Sequence, residues 1–233
     1  PSAQHNRVRY PMETVKPAKS AKQFVFSRRA AEIPADLPET NLWPAGRDVE
    51  LAEQRIANTE YTGAAIASLR LETVVLERIR FTETAFGSIT MKDVRLVNCD
   101  LANVTCRALD LIRVEFINCR LTGFTGGEVA AQDVLFSECD GRYSQFRFSR
   151  FKSAEFDSCQ FEDADFQGTD LAGSIFRNCN LRNVEMGKAK LFDADLRGSV
   201  VEGLRVGVEG LRGATVDASQ AMRFALLLGI KIG

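Results

Sequence analysis

A five-residue rhythm dominates this chain and restricts what it can fold into. From Leu51 to Val216 every fifth residue is apolar, over 34 consecutive positions, and only Gly126 and Gly141 bring no side chain to bury. A longer rhythm is superimposed, because five of the six cysteines lie 20 residues apart: Cys99, Cys119, Cys139, Cys159 and Cys179. Self-similarity at a fixed period is typical of repeat architectures. The chain is therefore expected to form a solenoid.

The arrangement within each unit indicates short strands separated by corners. Two residues before each apolar position, 25 of 33 residues are Ala, Ser, Cys, Thr or Val. Residues two apart share one side of an extended backbone, so each pair marks a strand with one buried face. Because five is an odd number, successive pairs would face opposite sides of a straight strand. A corner every five residues is therefore needed to keep all pairs facing the interior. Four corners in each 20-residue coil predict a square tube of about eight coils, with strands pairing in parallel about 4.8 Å apart.

Several units repeat a more specific pattern, namely a small residue, Asp or Asn, Leu or Phe, and two variable residues. Clear copies are residues 164–168, 169–173, 179–183 and 194–198. In this pattern the chain resembles the pentapeptide-repeat family over residues 51–216. The resemblance implies an all-β solenoid, the right-handed quadrilateral β-helix of that family. The earlier coils depart from the Asp-Leu pair, although they keep the five-residue phase.

The two ends lack the rhythm and are expected to form separate units. Residues 1–50 are predicted to be a basic mobile arm followed by an irregular N-terminal cap that contains Trp43 and three prolines. Residues 217–233 are predicted to be a C-terminal capping helix that Asp217 or Ser219 begins and Gly229 ends. Several family members dimerise through this end, so the resemblance implies a homodimer. The apolar residues expected at that interface are Met222, Phe224, Leu227 and Leu228.

Composition and cysteine spacing exclude several classes of protein. The formal net charge of −1 gives no sign of nucleic-acid or membrane binding, and no apolar run is long enough to cross a bilayer. No signal-peptide pattern opens the sequence. The cysteines follow neither a disulfide framework nor a zinc spacing, so reduced thiols in a cytoplasmic protein are expected. In the tube they are small buried residues, and neither a metal nor a cofactor is predicted.

Catalysis is not expected from this sequence. The only histidine, His5, lies in the predicted arm, which leaves no histidine-based acid–base pair or triad on the rod. The evenly spaced Gly207, Gly210 and Gly213 do not follow a strand and open a helix, as a phosphate loop would. A coil filled with side chains also offers no pocket. We therefore expect a non-catalytic binding or scaffold protein with an unknown protein partner.

Two surfaces are candidates for partner binding. One surrounds Gly126, Gly127 and Gly141, where missing side chains could open the wall near an exposed Tyr143; a tolerated bulge is the simpler explanation of these glycines. The other is an acidic segment with six carboxylates and no basic residue between residues 153 and 170: Glu155, Asp157, Glu162, Asp163, Asp165 and Asp170.

The family resemblance gives the acidic segment an alternative function. Some quinolone-resistance members imitate duplex DNA and bind DNA gyrase. Stacking at 20-residue steps predicts, however, that basic residues neutralise the acids: Arg142 and Arg182 beside Glu162, Arg150 and Lys190 beside Asp170, and Arg177 beside Asp157. Residues 51–216 carry 24 acidic and 20 basic residues, a net charge of −4. DNA mimicry is therefore the second interpretation.

One column of the aligned coils alternates in charge. It contains Glu60, Arg80, Asp100, Arg120 and Asp140 at 20-residue steps. Because coils stack directly on each other, these side chains are predicted to form a ladder of ion pairs that fixes the register.

Overall fold

Strands pair in parallel with a register shift of 20 residues along the chain. Leu51 lies opposite Leu71, Leu71 opposite Met91, and Met91 opposite Leu111. The computed structural model describes residues 27–62, 65–82, 84–227 and 229–231. Each coil is thus one 20-residue repeat, and the coils stack into a parallel β-solenoid of about eight turns. The solenoid predicted from the five-residue rhythm is confirmed.

The strands fall into three parallel sheets. A ten-stranded sheet contains β1, β2, β4 and β6 to β12, while β3 pairs with β5 and β13 pairs with β14. The strands are β1 (Glu39–Thr40), β2 (Asp48–Ala57), β3 (Glu60–Thr62), β4 (Ala65–Glu77), β5 (Arg80–Thr82), β6 (Ala85–Val97), β7 (Thr105–Ile117), β8 (Thr125–Gln132), β9 (Leu135–Ser137), β10 (Arg150–Lys152), β11 (Glu155–Asp157), β12 (Ile175–Arg177), β13 (Glu185–Met186) and β14 (Arg205–Val206). One helix, α1 (Ala218–Leu227), follows them.

Left-handed residues form the corners. They recur two positions after the central apolar residue, for example at Asn98, Asn103 and Asp193, with φ between 54° and 58°. Such values are uncommon outside glycine, so stacking must hold these residues in place. The fourth corner of the early coils lacks a left-handed residue, because residues 68, 88, 108 and 128 do not have a positive φ. Phe148 is the first residue at this corner that has one. The rod therefore changes its corner geometry along its length.

The tube is filled with side chains from the central positions. Phe116, Phe136, Phe156 and Phe176 stack along the axis with ring centroids 4.6, 5.2 and 4.5 Å apart and almost parallel planes. A cavity of only about 10 Å³ remains near Phe124 and Phe146, which is at the lower limit for a water molecule.

The cysteine column lies inside the wall of the rod. All six cysteines are free and buried, and each thiol of the column lies within hydrogen-bonding distance of a backbone carbonyl oxygen of the preceding coil, as Cys99 does with Leu76 at 3.4 Å. Burial raises the pKa of the Cys106 thiol to about 11, and hydrogen bonding to Cys119 together with burial raises the pKa of Cys99. The thiols of Cys99 and Cys106 are therefore protonated at neutral pH.

The N-terminal segment has two parts in the described residues. Trp43 packs on Tyr61 and Phe81 of the first coils, with centroid distances of 5.7 and 5.3 Å. Residues 27–38, here named the strap, run along the outside of the rod. They pass from the coil of Asp133 back to β1, which pairs with β2. The mobile arm predicted for residues 1–22 lies outside the described residues.

Helix α1 closes the other end of the rod. Asp217 is its N-cap: one carboxylate oxygen accepts a hydrogen bond from the Gln220 backbone N–H at 3.0 Å, and Gln220 Oε1 accepts one from the Asp217 N–H. The hydrogen bonds that this carboxylate accepts from the Gln220 N–H, the Ser219 hydroxyl and the Gly198 N–H lower the pKa of Asp217 to about 2. The buried Gln220 amide donates to the Leu196 and Ser199 carbonyl oxygens, which covers the last coil.

Candidate protein-interaction surfaces

The acidic segment is only partly neutralised, and mostly by other pairs than the stacking predicts. Arg177 binds Glu155 at 2.5 Å, Arg147 binds Asp165 at 2.6 Å, and Lys190 lies 3.9 Å from Asp170. Among the described residues, the other three carboxylates of the segment form no ion pair within 4 Å. They are Asp157, Glu162 and Asp163.

Four of the five predicted pairings are therefore wrong, and only the pair of Lys190 with Asp170 is confirmed. Arg177 reaches past Asp157 to Glu155, and Arg142 binds Asp140 of its own coil at 2.7 Å instead of Glu162. Within the described part of the chain, Arg150 and Arg182 form no ion pair with the acidic segment either. Long arginine side chains can reach several carboxylates within one coil spacing, and local geometry selects among them.

A face with two exposed aromatic rings adjoins this segment. Tyr143 is 58% exposed and Phe148 is 74% exposed, at successive corners of one coil. On the next coil Asp165 is stacked below Gln145, and Tyr143 N–H donates to the Glu162 carbonyl oxygen. We name this the 143–168 face, defined by Tyr143, Phe148, Asp163 and Asp165.

Sequence reasoning selected Tyr143 but missed Phe148. A signal was present, since Phe148 lies outside the central phase, where a phenylalanine cannot point into the tube. Its ring instead covers Gly168, where an added Cβ would lie 2.5 Å from the ring.

The glycines do not open the wall of the rod. A Cβ at Gly141 would lie 2.3 Å from the Phe161 ring, and one at Gly126 would lie 2.7 Å from Val129. Neighbouring side chains have moved into the space that these glycines leave. Gly127 has a separate role, because a Cβ there would lie 2.3 Å from the Arg107 carbonyl oxygen. The opening expected around these glycines is therefore absent from the described wall of the rod. Tyr143, which was expected to be exposed beside it, is exposed.

The charge ladder is formed in part. Asp100 is paired on both sides, with Arg120 at 3.3 Å and Arg80 at 4.0 Å. Glu60 instead accepts a hydrogen bond from the Thr82 hydroxyl, and Asp140 binds Arg142. The predicted pairs Glu60–Arg80 and Arg120–Asp140 are therefore wrong, although their backbones keep the predicted register.

A row of buried carboxylates, which the sequence did not reveal, lies under the strap. It consists of Asp93, Glu115 and Asp133, which are only 4–5% exposed. The strap donates a backbone N–H to each of them: Arg29 to Asp133 at 3.2 Å, Ala31 to Glu115 at 3.3 Å and Glu32 to Asp93 at 3.0 Å. We name these three residues the carboxylate row.

Two strap arginines add charge to these contacts. The Arg28 guanidinium donates to Glu115 at 3.2 Å, and the Arg29 Nε donates to Asp133 at 3.0 Å. Burial raises the pKa of each carboxyl in the row, but hydrogen bonds from the strap and from rod side chains outweigh it and leave each pKa below its ordinary value. The row is thus ionised at neutral pH and binds an extended segment.

The C-terminal end presents apolar surface. Met222 is 55%, Leu226 60% and Leu227 50% exposed, and a groove of about 460 Å³ runs beside them between α1 and residues 208–216. Phe224, predicted at the same interface, is half-buried against the core and lines this groove. Leu228 lies outside the described residues.

The described residues contain neither a metal-binding cluster nor a membrane-spanning helix. No cluster of three or more His, Cys, Asp or Glu side chains arranged to hold a metal ion occurs among them. Helix α1 is too short to cross a membrane. The described part of the chain contains no other helix that is long and apolar enough to do so.

Comparison with known proteins agrees with the coil geometry. The model of the pentapeptide repeat region matches residues 89–166 and, in a second overlapping match, 109–186. A trypsin-treated form of QnrB1, a plasmid-mediated fluoroquinolone resistance protein, superimposes with a TM-score of 0.57 at 18% identity, covering 79% of this chain and 90% of that one.

A second solved structure belongs to the same group. HetL, a pentapeptide repeat protein involved in heterocyst differentiation regulation from the cyanobacterium Nostoc sp. strain PCC 7120, matches with 16% identity and a TM-score of 0.21, over 71% of this chain and 88% of that one. A search of curated protein sequences found no match. Residues 89–186 therefore form a pentapeptide repeat region, and the 20-residue coils continue on both sides of it with the same five-residue phase.

Proposed function

We propose that this protein is a non-catalytic scaffold that binds a protein partner through the 143–168 face. The observation that carries the proposal is the pair of exposed rings, Tyr143 and Phe148, beside Asp163, which forms no ion pair within 4 Å in the described residues. Exposed aromatic residues are enriched where proteins bind each other. The carboxylates favour a partner with a basic rim around an apolar centre.

The rest of the rod supports a binding role over a catalytic one. Its interior is filled, so substrates have no enclosed site. All six thiols are buried, which leaves none of them accessible to a substrate. Free thiols also support a reducing compartment such as the cytoplasm as the place of action.

Affinity capture with a matched control tests this proposal. The full chain is immobilised, bound proteins are quantified by mass spectrometry, and the experiment is repeated with Tyr143→Ser/Phe148→Ser and with Phe192→Ser. Phe192 is as exposed as Tyr143, at 58%, but lies on a later coil. A partner that the wild type and Phe192→Ser retain, and that the double variant loses, supports the proposal. Equal capture by all three proteins contradicts it.

DNA gyrase is the second candidate, favoured by Asp157, Glu162 and Asp163, which form no ion pair within 4 Å in the described chain. The charge density argues against it. Duplex DNA carries about one charge per 1.7 Å, or about two dozen over the roughly 40 Å of eight coils. Residues 51–216 have a net charge of only −4. Three isolated carboxylates do not reproduce that field.

We therefore expect no effect on gyrase. At a few micromolar, the protein leaves DNA supercoiling by gyrase unchanged and does not relieve its inhibition by a quinolone. A gel assay of plasmid topoisomers measures both effects. Inhibition or relief that Asp163→Asn/Glu162→Gln abolishes would instead assign the acidic segment to gyrase.

We also propose that the protein forms a symmetric homodimer through its C-terminal end. The exposed ridge of Met222, Leu226 and Leu227 adjoins the groove beside α1. A ridge and a groove on one surface suit a two-fold interface, in which each copy fills the groove of the other.

Light scattering at micromolar concentration is expected to give twice the mass of one chain. Leu227→Glu places a charge in this interface and is expected to give the mass of one chain. Leu42→Glu is the control, because Leu42 is 74% exposed at the opposite end of the rod. A wild type with the mass of one chain contradicts the dimer, as does a Leu227→Glu protein that still dimerises.

A further inference from the structure

We propose that the carboxylate row is a docking site for an extended, arginine-containing segment of a partner protein, and that the strap fills this site in cis. The inference rests on the proposed scaffold function and names a second contact with the partner. The strap shows what chemistry the row accepts: one backbone N–H per carboxylate and two guanidinium groups.

The spacing of the row suits an extended chain. The carboxylates of Asp133 and Asp93 lie two coils apart, about 10 Å at the usual strand separation. Three residues of extended backbone, from Arg29 to Glu32, cover the same length at about 3.3 Å each. The coil repeat therefore separates the two outer carboxylates of the row by about the length of strap backbone between Arg29 and Glu32.

One member of the row needs a cation from outside the rod. Asp93 is paired with Arg113, and Glu115 with Arg95, both of which belong to the coils. Asp133 is 4% exposed, yet its only ion pair within the described residues comes from Arg29 of the strap. A buried carboxylate is costly without a partner charge. The rod thus carries a site that is complete only when an arginine-bearing segment is bound.

The strap is held in a way that allows exchange. Apart from the largely buried Arg28 side chain, its residues are exposed or half-buried over the described 27–38, and its contacts with the row are polar. Segments with few buried apolar contacts open at a small fraction of the global unfolding free energy. A partner segment that offers the same N–H and guanidinium groups, and apolar contacts in addition, can replace it.

A peptide of residues 27–36 is the probe for this site. It is labelled with fluorescein and titrated by anisotropy into the full chain and into the Arg28→Ser/Arg29→Ser variant, whose strap lacks both guanidinium groups. A tethered competitor acts at an effective concentration in the millimolar range. The strap is such a competitor for the peptide. Weakening the strap is therefore expected to tighten peptide binding about tenfold or more. Equal binding to both proteins would overturn the inference.

Two controls fix the location of the bound peptide. Asp133→Asn in the variant background is expected to reduce peptide binding at least tenfold, and a peptide with glutamate at both arginine positions is expected not to bind. Binding that ignores either change overturns the proposal. Hydrogen exchange on the unmodified protein needs no variant: excess peptide should speed exchange of the Arg29, Ala31 and Glu32 amides, and unchanged rates contradict displacement.

The outcome is separable from that of the scaffold proposal. Tyr143→Ser/Phe148→Ser is expected to bind the peptide as the wild type does, because the carboxylate row lies elsewhere on the rod. Peptide binding that fails while the 143–168 face still captures its partner overturns this inference alone. If the row is instead filled by the strap of a second copy, Arg28→Ser/Arg29→Ser abolishes a dimer of the full chain, and the partner-segment inference falls.

Discussion

Replacing Phe156 by alanine is expected to lower the free energy of unfolding by about 3–5 kcal/mol. Its side chain is 1% exposed and lies between Phe136 and Phe176 in the axial stack, with Phe151 and Phe161 at its edges. Removing the ring loses its burial and leaves a cavity that stacked coils cannot close, since their spacing is fixed by backbone hydrogen bonds. For a chain of this length the melting temperature is expected to fall by about 6–20 °C.

Phe148→Ala is the matched control. It removes the same ring from a side chain that is 74% exposed, so the change in unfolding free energy is expected to stay within about 0.5 kcal/mol. Urea denaturation followed by circular dichroism measures both variants. Similar midpoints for the two variants would mean that the stack contributes no more than a surface ring.

Replacing Arg113 by alanine is expected to cost about 3–5 kcal/mol at neutral pH, because it leaves a buried carboxylate without its charge partner. Arg113 donates from Nε and Nη2 to the two oxygens of Asp93, at 2.6 and 2.5 Å, and both side chains are largely buried. The control is Arg120→Ala, which breaks the exposed pair with Asp100. Exposed pairs contribute about 1 kcal/mol or less.

The effect of Arg113→Ala should depend on pH. In the wild type, burial raises the pKa of Asp93, but hydrogen bonds from Arg113 and from the Glu32 amide lower it below its ordinary value. This stabilisation is therefore complete above about pH 4 and declines as the pH falls through the lowered pKa. In the variant the pKa of Asp93 rises, and protonation relieves the buried charge as the pH falls.

The difference in unfolding free energy between the two proteins should thus be largest near neutral pH and smaller near pH 4. Denaturation curves at both pH values measure it. A difference that stays constant, or that is no larger than the one for Arg120→Ala, would show that Asp93 does not depend on Arg113.

The repeat explains why so much of the fold could be predicted. A side chain in a coil has the same environment as the residues 20 positions before and after it, so the period alone fixes the strand register and the inward-facing residues. Phe156 and Cys139 were placed in the interior from their phase, and they are buried there. Tyr143 was placed on the outside in the same way. Helix α1 followed from local rules, because a capping residue and a terminal glycine act within a few positions.

The ion pairs could not be predicted, because the period fixes where a backbone lies and not where a long side chain reaches. Arg177 binds a carboxylate 22 residues away, and Arg147 binds a carboxylate 18 residues away. Arg142 binds a carboxylate only two residues away. The first two acceptors lie two residues from the directly stacked positions, 157 and 167, and the third lies two residues from Arg142 itself. Exposed ion pairs differ little in free energy, so side-chain rotamers and local packing decide which carboxylate each arginine binds.

The strap could be found only in three dimensions. Its hydrogen bonds to the carboxylate row join residues 61 to 104 positions apart, and residues 27–38 carry no period that would align them with a coil. The sequence by itself determined the solenoid, its register and its filled interior, because each depends on a pattern repeated along the chain. Only the tertiary structure decided which carboxylates are buried and which segment covers them, because those contacts depend on one stretch of non-repeating chain lying along the outside of the rod.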